Sequence, residues 1–132
     1  MTVRLARLKT RADFLRVAGT RVSAGRPGLV LQAAPQPAAQ SILDETAGVG
    51  FTASRRVGNA VVRNRAKRRL RAAAALVLGQ QAKAGTDYVL IARGDTGSRR
   101  YADLVADLEG ALRQVAQGRP RPPRPAGGKG RR

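Results

Sequence analysis

The chain has 132 residues, 26 of them lysine or arginine and 8 aspartate or glutamate, which gives a net charge of +18 and a pI of about 12.0. It contains no cysteine and no histidine, which excludes disulfides, thiolate zinc sites, Cys- or His-based nucleophilic catalysis and the usual general base. The charge balance is that of a nucleic-acid binder, and the length fits one small domain that buries roughly two-thirds of the unfolded chain's surface.

Residues 10–18 (ThrArgAlaAspPheLeuArgValAla) predict a short helix capped by Thr10, with Phe14, Val17 and Ala18 on one face. LeuValLeuGlnAla at 29–33 reads as a strand, and the polar, proline-bearing stretch from Pro35 to Thr46 as a connecting loop. At 49–54, Val49, Phe51 and Ala53 alternate with Gly50, Thr52 and Ser54, as in a strand with two distinct faces. A long helix from Ala60 to Leu78 follows, entered through Gly58 and capped by Asn59, with Val62, Ala66, Leu70, Ala73 and Val77 on one apolar stripe. Gly79 and Gly85 flank a short spacer. AspTyrValLeuIleAlaArg at 87–93 is a nearly continuous apolar run, as expected of a strand buried on both faces. Gly94 to Arg100 is loop, and residues 101–115 close with Leu104, Leu108, Ala111, Leu112 and Val115 on one helical face. A strand, a long helix and a second strand in succession predict an α/β sandwich with helices packed on one sheet and, by the general rule, a right-handed crossover. The tail, residues 118–132, interleaves Pro120, Pro122, Pro123 and Pro125 with arginine and reads as disordered. It carries six cations and no acid, so the expected domain at 1–117 keeps 20 − 8 = +12.

The long helix carries the chemistry. Arg63, Arg65, Lys67, Arg68, Arg69 and Arg71 crowd its polar arc with Asn64, and no carboxylate lies between Glu45 and Asp87. A solvated helix face normally mixes signs, because cations at i and i+4 repel by a few tenths of a kcal/mol per pair. Such a one-signed face calls for an external polyanion. Arginine dominates, and its planar fork bonds phosphate oxygens bidentately where lysine offers a point charge. Arg63, Lys67 and Arg71 fall on one side of the arc with Asn64 beside them, and Arg65 and Arg68 toward the other, so the helix can grip two strands of nucleic acid.

The carboxylates Asp13, Asp44, Glu45, Asp87, Asp95, Asp103, Asp107 and Glu109 are dispersed, and Asp103 and Asp107, an i,i+4 helical pair, read as surface groups. No catalytic or metal-binding constellation is expected. No apolar run reaches the length of a membrane span, and the N-terminal residues lack a signal peptide's apolar segment, so a soluble cytoplasmic protein without membrane association is expected.

Three segments together resemble the bacterial ribonuclease P protein family: ArgLeuLysThrArgAlaAspPheLeuArgVal from Arg7, GlyValGlyPheThrAlaSerArgArgValGlyAsnAlaValValArgAsnArgAlaLysArgArgLeuArg from Gly48, and AspTyrValLeuIleAlaArg from Asp87. The resemblance spans nearly all of residues 7–117. It implies an αβββαβα two-layer sandwich, similar to the second domain of a small-subunit ribosomal protein, with a left-handed βαβ crossover instead of the usual right-handed one. It also implies that a large partner RNA, holding the magnesium ions, performs the endonucleolytic removal of the 5′ leader from precursor tRNA. The protein would bind that catalytic RNA and the leader, with no obligatory protein partner. Carried over by position, Phe14, Thr52, Arg63, Asn64, Lys67 and Arg71 would bind the leader, while Arg55, Arg56, Asn59, Arg65, Arg68 and Arg69 would face the catalytic RNA. Phe14 reads equally as a core residue. Many relatives place further aromatics where Ala18 and Gln32 stand here, so leader binding should rest more on phosphate contacts. The alternatives are a structural ribosomal RNA-binding protein, also small and arginine-rich, and a general nucleic-acid chaperone.

Overall fold

A computed structural model describes residues 4–37 and 46–118. The expected tail beyond Gly118 and the central part of the expected loop, 38–45, lie outside the described residues. The elements run β1 (Arg4–Arg7), α1 (Arg11–Gly19), β2 (Ser23–Arg26), β3 (Leu29–Pro35), β4 (Thr46–Thr52), a single 3-10 turn (Arg55–Val57), α2 (Ala60–Gln81), β5 (Thr86–Ala92) and α3 (Tyr101–Val115). The αβββαβα order is therefore present, preceded by one further strand. The sheet is ordered β1-β4-β5-β3-β2; β4 is parallel to both β1 and β5, whereas β3 is antiparallel to β5 and to β2.

Alternation along the strands assigns the two sheet faces. Leu29, Leu31, Ala33, Val49, Tyr88 and Leu90 point to one face, where they meet Leu70, Val77 and Leu78 of α2 and Leu104, Leu108 and Leu112 of α3. Each fully buried leucine there contributes about 1.5–3 kcal/mol. This sheet-and-helix pair is the expected two-layer core. On the opposite face, Val17 of α1 packs with Ala34 and Val89, joined by the partly buried Leu8, Phe14 and Ile91.

Several boundaries move, each for a physical reason. The strand expected at 49–54 runs 46–52, because pairing with β1 and β5 extends it backward while Ser54 opens the 3-10 turn. Helix α2 continues through Gly79, around whose backbone there is open space, and ends only where Ala82 turns extended and buried. Val62, expected on the apolar stripe, is exposed and sits over the Gly58 turn, whereas Ala66, Leu70, Ala73 and Val77 are buried as expected. Ala18 is likewise exposed beside the buried Val17.

Asp107 is not the surface group its spacing suggests. It is buried on α3, where its carboxylate accepts from Arg99 Nε at 2.5 Å and from the Gly28 main-chain N–H at 3.0 Å. The bond to Asp107 raises the pKa of Arg99 above its ordinary value. Asp87, also buried, is held on the α1 side of the sheet by Arg16 and by the Gln36 side-chain amide at 3.2 Å. A buried carboxylate needs such partners, since an unpaired one costs several kcal/mol.

Candidate nucleic-acid interface

The polar arc of α2 is oriented by how the helix starts and by what it buries. Gly58 has φ 152° and ψ −164°, a conformation for which an L side chain is strained, and it swings the chain from the 3-10 turn into the helix. Asn59 then caps α2, its side-chain oxygen accepting from the Val62 N–H at 3.0 Å. With Ala66, Leu70, Ala73, Ala74 and Val77 turned to the sheet, the two flanks of the helix become two separate cationic faces.

On one flank, Lys67 and Arg71 line an open cavity of about 410 Å³ together with Arg7, Leu8 and Lys9 at the end of β1, Phe14 of α1 and Phe51 of β4. The cavity exists because β1 is short. Its ladder with β4 stops at Arg7 opposite Val49, after which Leu8 N–H reaches the Val49 carbonyl at 3.0 Å, yet β4 continues to Thr52. Main-chain groups alternate sides along a strand, so those of Phe51 point to the edge that β1 has vacated. The lining thus combines four cations, two aromatic rings and an open strand edge, with no carboxylate among it. Phe14 packs against the small cluster around Val17, and its ring also faces this cavity.

The other expected leader residues are differently placed. Thr52 ends β4 on the sheet face of Gly50, and it does not line the cavity, nor do Arg63 and Asn64. Asn64 is exposed, while Arg63 is half-buried with its Nε enclosed and lacking a hydrogen-bond partner among the described residues. Gln32 is half-buried on β3.

On the opposite flank Arg65 and Arg68 are exposed, and Arg55 and Arg56 stand exposed on the 3-10 turn just before the helix, next to Asn59. Arg69 departs from the expected grouping. Its guanidinium donates to the Thr96 carbonyl at 2.6 Å and to the Arg99 carbonyl at 2.5 Å, which clamps the β5–α3 loop onto α2. Thr96 is itself buried, its hydroxyl donating to the Gly28 carbonyl at 2.6 Å and accepting from the Arg93 N–H at 2.7 Å. Arg69 is therefore a fold-holding arginine within an otherwise outward-facing set.

Sequence reasoning missed Arg7, Lys9 and Phe51 as cavity residues. The signal for the first two was a period of two, Arg7 and Lys9 flanking Leu8, but nothing local marks Arg4–Arg7 as a strand. For Phe51, alternation alone pointed to the core, and it does pack there while its open edge borders the cavity.

A family model described as Ribonuclease P matches residues 3–116. The ribonuclease P protein component of Paramagnetospirillum magneticum is 52% identical over 115 residues, covering 87% of this chain and 86% of that protein. That of Ruegeria pomeroyi is 47% identical over 114 residues, 86% and 88% of the respective chains. Among solved structures, the RNase P protein from Thermotoga maritima superposes with a TM-score of 0.66 at 23% identity, covering 81% of this chain and 94% of that one. The RNase P protein of Staphylococcus aureus does so at 0.64 and 24%, with 81% and 92% covered. The structures show a shared fold, and the family match, which agrees with a one-signed helix beside a cationic, aromatic-walled cavity, shows more: the chain belongs to the ribonuclease P protein family.

Proposed function

We propose that the chain works as the protein subunit of ribonuclease P, in which a catalytic RNA removes the 5′ leader of precursor tRNA. The catalytic RNA is held by Arg55, Arg56, Arg65 and Arg68, together with the N-terminal end of α2 at Asn59. The leader lies in the cavity of about 410 Å³, its phosphates on Arg7, Lys9, Lys67 and Arg71 and a base against Phe14. That cavity is the observation that supports the reading most strongly. Single-stranded nucleic acid is held by a cationic groove with a stacking platform, and this cavity offers both. Thr52, Arg63 and Asn64 flank it along the same strand and helix and extend the leader's path.

The magnesium ions of the reaction sit mainly on the RNA in this reading. The two buried carboxylates, Asp87 and Asp107, are tied to arginines. The metal supplies a Lewis acid and an activated water at the scissile phosphate; the protein's residues bind and orient the substrate and lower the ion concentration the reaction needs. No described helix is long and apolar enough to cross a membrane. We place the protein in the cytoplasm with precursor tRNA.

The test is cleavage of a leader-bearing precursor tRNA at low magnesium by the organism's ribonuclease P RNA, with and without the purified protein. Cleavage that needs both components is the expected result. Folded, RNA-binding protein that gives no stimulation would sink the assignment and favour a ribosomal or chaperone role.

A further inference from the structure

The Phe14 ring lies directly on the backbone of Gly50. A Cβ built on Gly50 would sit 2.5 Å from Phe14 Cε1 and 2.6 Å from Cζ, and 3.3 Å from Leu8 Cβ. Real Cβ atoms do not approach carbon that closely, so any side chain at position 50 must drive the ring from where it sits. The ring can yield only toward the cavity. Below it is β4, behind it the cluster of Val17, Ala34 and Val89, and on its free side the cavity. Gly50 is buried, in the middle of a strand paired through this segment with β5, so the backbone cannot easily withdraw. Glycine inside a strand weakens it and offers no packing of its own, and it commonly marks a close approach by another group.

We propose that Gly50 is a positioning residue for leader recognition: by lacking a side chain it lets the Cε1–Cζ edge of the Phe14 ring close on β4 and fixes the height at which a leader base can stack. This rests on the leader reading of the cavity. The relation is steric and specific to one pair of residues, so it makes a claim that a general weakening of the strand would not. Gly50→Ala harms leader recognition only through Phe14, and once the ring is removed the added methyl group meets only Leu8 Cβ, at 3.3 Å.

The experiment is a double-mutant cycle in the reconstituted holoenzyme, comparing wild type, Phe14→Ala, Gly50→Ala and the double variant. The readout is the ratio of affinity for leader-bearing precursor over mature tRNA, alongside affinity for the catalytic RNA and the urea midpoint of each free protein. Phe14→Ala is expected to lower the ratio about tenfold, the scale of one lost base–aromatic stack. Gly50→Ala is expected to lower it by a similar factor with assembly on the catalytic RNA unchanged, and the double variant to match Phe14→Ala alone. Losses that multiply in the double variant, or a Gly50→Ala protein with wild-type discrimination, overturn the proposal. Should Gly50→Ala alone unfold, return of the urea midpoint in the double variant to that of Phe14→Ala supports the steric contact, and no return overturns it. A Phe14→Ala protein with undiminished discrimination would instead refute the leader reading itself.

Discussion

The cavity's four cations set a number that salt titration can check. Single-stranded nucleic acid releases bound salt on neutralisation with a slope of roughly −0.7 in log K against log salt for each phosphate engaged. Arg7, Lys9, Lys67 and Arg71 line the cavity with no carboxylate to offset them. If each meets one leader phosphate, the leader's share of the slope is about −2.8, and raising salt from about 50 to about 200 mM lowers that share of affinity about 50-fold. The assay is holoenzyme binding to precursor and to mature tRNA across that salt range at fixed magnesium. The ratio of the two affinities isolates the leader, because the tRNA body and its contacts with the catalytic RNA cancel. Lys67→Ala and Arg71→Ala should each make the ratio's slope shallower by about 0.7, and together by about twice that. A ratio indifferent to salt, or one whose slope survives both substitutions, would refute the assignment of the leader to this cavity.

The arginines of α2 should separate into two kinds. Arg69→Ala loses two charge-assisted bonds to loop carbonyls and is expected to cost about 1.5–3 kcal/mol in urea unfolding, with Arg69→Lys a poor substitute because it cannot span both carbonyls; Arg65→Ala and Arg68→Ala should leave the midpoint unmoved and weaken assembly with the catalytic RNA, and equal midpoints for all three would remove the distinction. A pH prediction concerns Tyr88, whose hydroxyl burial raises above the usual 10.0 while its hydrogen bond from the Lys83 main chain pulls the other way. The folded chain keeps a proton that the unfolded chain has lost, so this contribution is intact below pH 10.0 and disappears as pH rises through the higher folded value. Tyr88→Phe, which cannot ionise, should start less stable by about 0.5–1.5 kcal/mol at neutral pH for its lost bond and close that gap above about pH 10. Wild-type and Tyr88→Phe stability curves that stay parallel through the alkaline range would refute it.

Where the physical signal is local, the sequence was legible. The Leu104, Leu108 and Leu112 spacing marks α3 at 101–115, Thr10 marks the start of α1 and its oxygen does accept from the Asp13 N–H at 3.2 Å, and the unbroken run through Leu90 marks a strand buried on both sides. Strands β1 and β2 were illegible because four-residue edge strands ending in arginine are defined by their neighbours and not by their own composition. The same limit divides the site. Lys67 and Arg71 share a face by i,i+4 spacing, so their grouping could be read from the chain. Arg7 and Lys9 join them only through a parallel pairing of β1 with β4, across α1 and two intervening strands. Arg68 and Arg69 are chemically identical neighbours, and what separates them is a pair of carbonyls supplied by a loop that folds back from beyond β5.

The inward placement of Asp87 and Asp107 has an effect on the molecule's exterior. Each is buried beside an arginine, so its negative charge neutralises an internal partner and lends little to the surface field. Among the described residues the outer shell is left predominantly cationic, with Arg55, Arg56, Arg65, Arg68 and Arg71 exposed against the exposed carboxylates Asp95 and Asp103. Self-repulsion of that kind keeps copies of the chain apart and lowers the stability of the compact form. A polyanion that binds only the folded protein reverses the penalty by mass action. RNA in this design is more than a bound partner: it is the missing counter-ion of the fold, and the protein is most stable in its company.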